Sequence, residues 1–299
     1  MYGQLTSESQ RAKWQLGVVA RAAEARQREW AARHLAVLYE KKQNSQAKSW
    51  PFDDVIFALV YAFVGEREKS QQIWRDLQLS PDFKPEEAVT FYLGMVSTPA
   101  MRLRLAPDET RKLIGEARQS ALRLSLRDRA SILLQVAEIQ NHQGLKSEMM
   151  ETLPLADKAA REKLAASGDV NDSNDLLKVA ALWRKAGNEM QTRAALDFVS
   201  KKVSKNLRSS IAFFMAGAGF WPEGLRVLQL KMPNDAYFYR GFAQMQTQRN
   251  GGDPLLWIRK LKSAANRAAA LSGAVEGCEP QIAEERELVL SGNGYSASY

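Results

Sequence analysis

The 299-residue chain predicts an all-α fold, organised as an α-solenoid of stacked antiparallel helical hairpins. Three observations lead there. Apolar residues recur at helical spacing along almost the whole chain, and no stretch shows the sustained period-2 alternation of a strand. Ala, Leu, Gln, Glu and Arg, all good helix formers, are plentiful. Prolines and glycines are sparse and fall between the apolar-periodic segments, where they end one helix and allow the next to begin.

The elements follow in order. Residues 9–43 read as one long basic helix or two consecutive ones, with Trp14, Val18 and Ala22 marking one face and Trp30, Val37 and Leu38 another. Residues 45–51 read as a linker. The apolar run 58–65 leads to Gly65, and a second amphipathic run follows through Ser70, Ile73, Trp74 and Leu77 to Leu79 and Pro81. Asp53 and Asp54 precede this pair, where carboxylates suit the positive end of a helix dipole. Pro85-Glu86-Glu87 and Pro107-Asp108-Glu109 are two further helix starts, each with proline in the first turn.

Residues 129–142 form a helix that stops at Gly144, and 148–166 form its successor, with Pro154 expected to kink or restart it. The polar segment 167–175 is expected to be an exposed loop. Helices over 176–186 and 192–203 flank Gly187, and helices over 211–218 and 223–230 flank Gly219. Residues 235–248 and 254–271 are expected to pair around Gly251-Gly252. A short acidic helix over 281–290 and a flexible tail over 291–299 close the chain. The domain reading is a basic helical segment 1–48, a repeat domain 49–290 and the tail.

Aligning the turns on their glycines exposes a repeat. Ala58 lies seven residues before Gly65 and Tyr61 four before, while Ser70 and Trp74 lie five and nine after. The same offsets give Ala180, Trp183, Thr192 and Leu196 around Gly187. Around Gly219 they give Ala212, Met215, Gly224 and Leu228, and around Gly144 they give Ala137, Gln140, Met149 and Leu153. Small residues at −7 and +5 let two helices approach, large ones at −4 and +9 fill the groove, and glycine accepts the left-handed conformation at the helix end. One hairpin cannot bury its own apolar faces, so neighbours must stack on it.

Residues 58–81 resemble the tetratricopeptide repeat family, with Ala58, Tyr61, Gly65, Ser70, Trp74 and Pro81 at or within one place of its signature positions. The match is looser over 180–199 and weaker around Gly144 and Gly219. Spacing between copies is irregular, Gln140 replaces an aromatic, and the family's early Trp-x-x-Leu-Gly element is missing from most copies. The resemblance implies a surface that holds a peptide or helix of another protein, lined by polar and aromatic residues on the first helix of each pair. Tyr92, Lys178, Arg184 and Tyr239 are the candidates.

Composition narrows the chemistry. Hydrophobic residues make up 45% and charged residues 25%, ordinary globular values. A single cysteine, Cys278, excludes an internal disulfide framework and a thiolate metal cluster. His34 and His142 are far apart and lack a ligand pattern around them. There is no GxxxxGK[ST] loop, and Gly217-x-Gly219 lacks the dinucleotide spacing. Asp169-x-Asn171-x-Ser173 fails as a calcium loop, because Asn174 replaces the turn glycine and Ala180 the bidentate acid. There is no GxSxG elbow. No enzymatic activity, metal or cofactor is therefore expected. Residues 1–16 have no apolar signal core, and the longest apolar run, 55–64, is well short of the roughly 20 residues a membrane span needs. A cytoplasmic location is expected unless a targeting segment has been removed.

The net charge of +8 is uneven. Residues 8–48 carry nine Lys/Arg against four Glu, whereas residues 276–287 carry five Glu against Arg286. Opposite ends of this kind can steer partners or set head-to-tail homo-oligomers. The expected function is a protein-interaction scaffold or adaptor. The alternative is nucleic-acid binding through basic clusters: Arg26, Arg28 and Arg33; Arg102, Arg104, Arg111 and Lys112; Lys201, Lys202, Lys205 and Arg208; and Arg259, Lys260, Lys262 and Arg267.

Overall fold

In a computed structural model of the chain, the structure describes residues 8–44, 53–98, 105–169, 171–202 and 208–278. Fifteen helices and no strand occur among them. The helices are α1 (Glu8–Glu24), α2 (Arg28–Asn44), α3 (Asp54–Val64), α4 (Arg67–Gln78), α5 (Pro85–Ser97), α6 (Pro107–Ala121), α7 (Leu126–His142) and α8 (Lys146–Ser167). Then come α9 (Ser173–Lys185), α10 (Glu189–Lys202), α11 (Arg208–Gly217), α12 (Trp221–Lys231), α13 (Ala236–Gln248), the single turn α14 (Leu255–Ile258) and α15 (Ala264–Cys278). The chain divides into two compact units, Met1–Ala159 and Ala160–Tyr299, with the division falling inside α8.

In the first unit α1 packs on α2, α3 on α4 and α5 on α6, so sequence neighbours pair. Alternate helices also touch: α1 meets α3, α3 meets α5, and α5 meets α7. Their shared core joins Leu16, Val19 and Ala23 of α1, Ala31, Leu35 and Leu38 of α2, Phe57, Ala58 and Tyr61 of α3, Ile73 and Trp74 of α4, and Phe91 of α5. Trp74 stacks flat on Phe91 with ring centroids 4.2 Å apart. Burial pushes the Tyr61 phenol up to about 12, with the neighbouring Tyr39 and Glu66 adding to the effect.

Of the two readings of residues 9–43, the structure takes two consecutive helices in place of one long basic helix, and they fold as a hairpin. The chain turns between Glu24 and Arg28, where Arg26 takes the left-handed conformation at φ 66°. Burial accompanies the turn: Ala31 and Leu35 have no exposed surface and join Leu16, Val19 and Ala23 of α1 in the core. A salt bridge from Lys42 to Asp54, 2.6 Å long, joins the end of α2 to the start of α3.

The turns share one geometry. After Tyr61, Gln140, Trp183 and Met215, the chain makes the same pair of capping hydrogen bonds around Gly65, Gly144, Gly187 and Gly219. The glycine N–H donates to the carbonyl three residues back, and the next N–H donates to the carbonyl five back. Glu66 N–H meets the Tyr61 carbonyl at 2.9 Å and Phe220 N–H meets that of Met215 at 2.8 Å. This is a Schellman cap, and it needs positive φ at its centre. The four glycines lie at φ 105°, 72°, 78° and 86°. Every aligned position at −7, −4, +5 and +9 is buried. The close approach is direct: Thr192 Oγ1 lies 3.4 Å from the Ala180 carbonyl, and a Cβ on Gly224 would lie 2.5 Å from that of Ala212.

Two copies of the same cap carry no glycine at the centre. Gln27 N–H reaches the Ala22 carbonyl across Arg26, and Gly251 N–H reaches that of Gln246 across Asn250 at φ 49°. The centre of this second cap is thus Asn250, one residue before the expected Gly251-Gly252, and Gly252 follows with φ 95°. The close partner of α13 is α15, which starts at Ala264, and between them α14 buries Trp257. The Trp257 indole N–H donates to Gln246 Oε1 at 2.8 Å, while the Gln246 amide donates to the Gly251 carbonyl at 2.9 Å.

In the second unit α9 pairs with α10 and α11 with α12, and alternate helices touch from α9 to α11 to α13 to α15. Ala212, Ala216, Leu228, Tyr239, Phe242, Trp257, Ile258, Ala270 and Ala274 form one core. Helix α8 runs unbroken through Pro154, which sits on an exposed face where water can meet the carbonyl left unbonded. The expected loop 167–175 is shorter than its polarity implies. Ser173 opens α9 fully buried, and Lys163 grips Asp175 at 2.8 Å and Asp172 at 3.3 Å. The acidic segment 281–290, the tail 291–299 and the linker 45–51 lie outside the described residues.

Candidate functional site

Helices α1 and α2 each carry two apolar faces. One is the core face already described, set by Leu16, Val19 and Ala23 on α1 and by Ala31, Leu35 and Leu38 on α2. The second comprises Trp14 and Val18 on α1 with Trp30 and Val37 on α2, and these line an open groove of about 420 Å³. Trp14 remains 40% exposed and Val37 51%. Single exposed apolar residues are ordinary, but here two tryptophans and two valines gather in one groove.

The groove has a defined chemical character. His34 stacks on Trp30 with centroids 3.7 Å apart, and its Nδ1 lies 2.9 Å from the Trp30 carbonyl, a bond that puts the proton on Nδ1. The imidazole is thereby fixed against the indole. Arg33 and Lys41 stand exposed along the same wall, one and three turns from Trp30. Both charged side chains that line the groove are cations. The stripe through Trp14 and Val18 was legible as apolar in the sequence, but it belongs to this groove and not to the core.

The residues anticipated as partner-binding scatter. Tyr92 is half-buried, T-shaped against Trp74, and accepts a 3.4 Å hydrogen bond from Gln78. It lines a second cleft of about 330 Å³ with Trp74, Arg67, Lys112, Glu109 and Glu116, and burial raises its phenol pKa. Lys178 is exposed on α9. Arg184 lies over the Phe220 ring, 4.0 Å from its centroid, and donates to the Gly219 carbonyl at 3.0 Å, so it braces a turn. Tyr239 corrects the expectation outright. It is 1% exposed inside the second unit's core, because its position on α13 faces Trp257.

Of the expected basic surface, Arg26, Arg28, Arg33, Lys201 and Lys202 are exposed, and Lys205 lies outside the described residues. Several other cations are engaged by acids: Arg111 with Glu148 at 2.9 Å, Arg118 with Glu151 at 2.8 Å, and Arg240 in a two-pronged bond to Glu276 at 3.0 and 2.6 Å. That last pair holds the Glu276 carboxyl below its usual range. It borders a third groove, of about 560 Å³, with Phe213, Phe238 and the exposed Tyr237.

Among the described residues no three His, Cys, Asp or Glu side chains converge as metal ligands. No described helix is long and apolar enough to cross a membrane. Comparison with protein-family models, with curated proteins and with solved structures finds no match.

Proposed function

We propose that this chain is a non-enzymatic scaffold, a tetratricopeptide-like solenoid of helical hairpins that captures an acidic amphipathic segment of a partner protein in the α1–α2 groove. The observation carrying this reading is the second apolar face of α1 and α2, with Trp14, Val18, Trp30 and Val37 flanked by Arg33 and Lys41. The recurring capped turns and the contacts between alternate helices within each unit support the solenoid. Helix-in-groove capture uses apolar anchors at i, i+3, i+4 and i+7, while complementary charge fixes orientation and speeds encounter.

The test is a fluorescence titration with a synthetic 15-residue amphipathic peptide bearing glutamates on its polar face. Saturable binding at low salt is expected, weakened about tenfold or more in Val37→Glu, whose exposed side chain the core does not need. Equal affinity in Val37→Glu and the parent, or no binding at all, overturns the reading. Single-stranded RNA serves in parallel: RNA binding that falls steeply with salt, without peptide binding, favours the phosphate-binding alternative instead.

A further inference from the structure

The α1–α2 groove finds an occupant of matching chemistry within the chain itself, an assignment that rests on the proposed capture of acidic segments there. We infer that the groove of one copy takes residues 279–290 of a second copy, giving head-to-tail self-association. This segment carries Glu279, Glu284, Glu285 and Glu287 against the single Arg286. Its apolar residues Ile282, Ala283, Leu288, Val289 and Leu290 are interleaved with these acids.

Complementarity extends to charge and length. The groove's charged lining residues, Arg33 and Lys41, are cations, and they sit in a segment with nine basic residues against four acidic. From Trp30 to Lys41 the α2 wall spans roughly 17 Å at the helical rise, and a twelve-residue segment such as 279–290 would span roughly 18 Å if it became helical on binding. Its apolar residues would cover Trp14, Val18, Trp30 and Val37 while the glutamates meet the two cations. Glu276 is not part of this contact, since Arg240 and Ser272 already hold it. The two surfaces differ and sit on different parts of the chain, so the interface is heterologous and adds copies as concentration rises.

The experiment is sedimentation velocity on the full chain from about 1 to 100 μM in low and high salt. Association that grows with concentration and fades with salt is expected, as screening weakens exposed charge pairs. The groove variant Arg33→Glu/Lys41→Glu and the tail variant Glu284→Lys/Glu285→Lys/Glu287→Lys should each raise the association midpoint about tenfold or more. Mixing the two variants should restore it, because the swapped charges again oppose one another. Unchanged circular dichroism in both variants verifies that they fold. A concentration-independent monomer, a variant without effect, or no rescue on mixing overturns the inference. If the synthetic glutamate-bearing peptide still binds while the chain stays monomeric, only the self-association fails. If the peptide does not bind either, both fail.

Discussion

Replacing Gly273 by alanine sets two opposed effects against each other in a way the structure decides. In a helix interior alanine is favoured over glycine by about 0.8–1 kcal/mol, so local propensity alone makes Gly273→Ala stabilising. Gly273 lies on α15 where it crosses α13, and an added Cβ would overlap the Arg240 carbonyl oxygen, with the carbonyl carbon at 2.8 Å and the Cα at 3.0 Å. These are backbone atoms, which cannot rotate aside. One turn on, Gly277 repeats the arrangement, with the Gln244 carbonyl oxygen 2.6 Å from its added Cβ. Since such carbon–oxygen contacts normally sit near 3.3 Å, the helices must separate by roughly 0.7 Å or more, loosening the surrounding core. Overpacking of this kind costs about 1–3 kcal/mol, with rigid backbone at the upper end. The expected net loss is about 1–2 kcal/mol. With an m-value of about 2 kcal/mol/M, the urea midpoint of the second unit falls by about 0.5–1 M, read by tryptophan fluorescence and far-UV circular dichroism. The control is Gly115→Ala, on α6, where nothing lies within 4 Å of the added Cβ. There only the propensity operates, and the midpoint of the first unit should rise. A Gly273→Ala protein as stable as the parent, or more so, would refute the close-approach argument.

Other expectations concern the first unit. Arg26 holds φ 66°, a region that costs most L-residues about 1–2 kcal/mol and glycine little, so Arg26→Gly should raise the thermal midpoint by a few degrees. Gly65→Ala, at the equivalent place with φ 105°, should lower it. The Tyr61 phenol, normally ionising near 10, is pushed up to about 12 when folded, so its stabilisation is complete below pH 10 and is lost as pH climbs toward 12. Between those values the unfolded chain has shed a proton that the folded chain keeps. Two pH units correspond to about 2.7 kcal/mol. Alkaline titration of the folding equilibrium should show this slope, and Tyr61→Phe should remove it; an unchanged slope in that variant would place the alkaline sensitivity elsewhere.

Helices and their turns were legible where glycine marked the left-handed residue. Gly65, Gly144, Gly187 and Gly219 occupy the same capped position, and the residues aligned on them are buried as the spacing required. The turn at Arg26 was not legible, because its conformation is imposed by packing of the flanking helices and not by a permissive residue. Arginine there looks like any solvated helix residue. The turn expected at Gly251-Gly252 lies one residue earlier, at Asn250, a residue type that tolerates positive φ. The groove was half-legible: Trp14, Val18, Trp30 and Val37 stood out as apolar, but periodicity cannot tell which of two apolar faces meets the core. The structure turns Ala12, Leu16, Val19 and Ala23 to the core and leaves Trp14 exposed. Tyr239 was misplaced for a related reason, since an aromatic on the first helix of a pair suits either a groove or a core, and only its contact with Trp257 separates the two.

The capped turns tie solvent-side geometry to the interior. The carbonyl that closes each cap belongs to Tyr61, Gln140, Trp183 or Met215, whose side chain is at the same time buried among the helices. A turn therefore cannot open without withdrawing a core side chain, and a core side chain cannot leave without releasing the amide that follows the glycine. Amides of Glu66, Leu145, Asn188 and Phe220 consequently exchange with solvent only in the openings that free the core, although each sits in a surface bend. In the link over residues 79–84 the tie is looser, with Phe83 edge-on against Trp74 while Leu79 is exposed, so fraying is directed there before the hairpin tips.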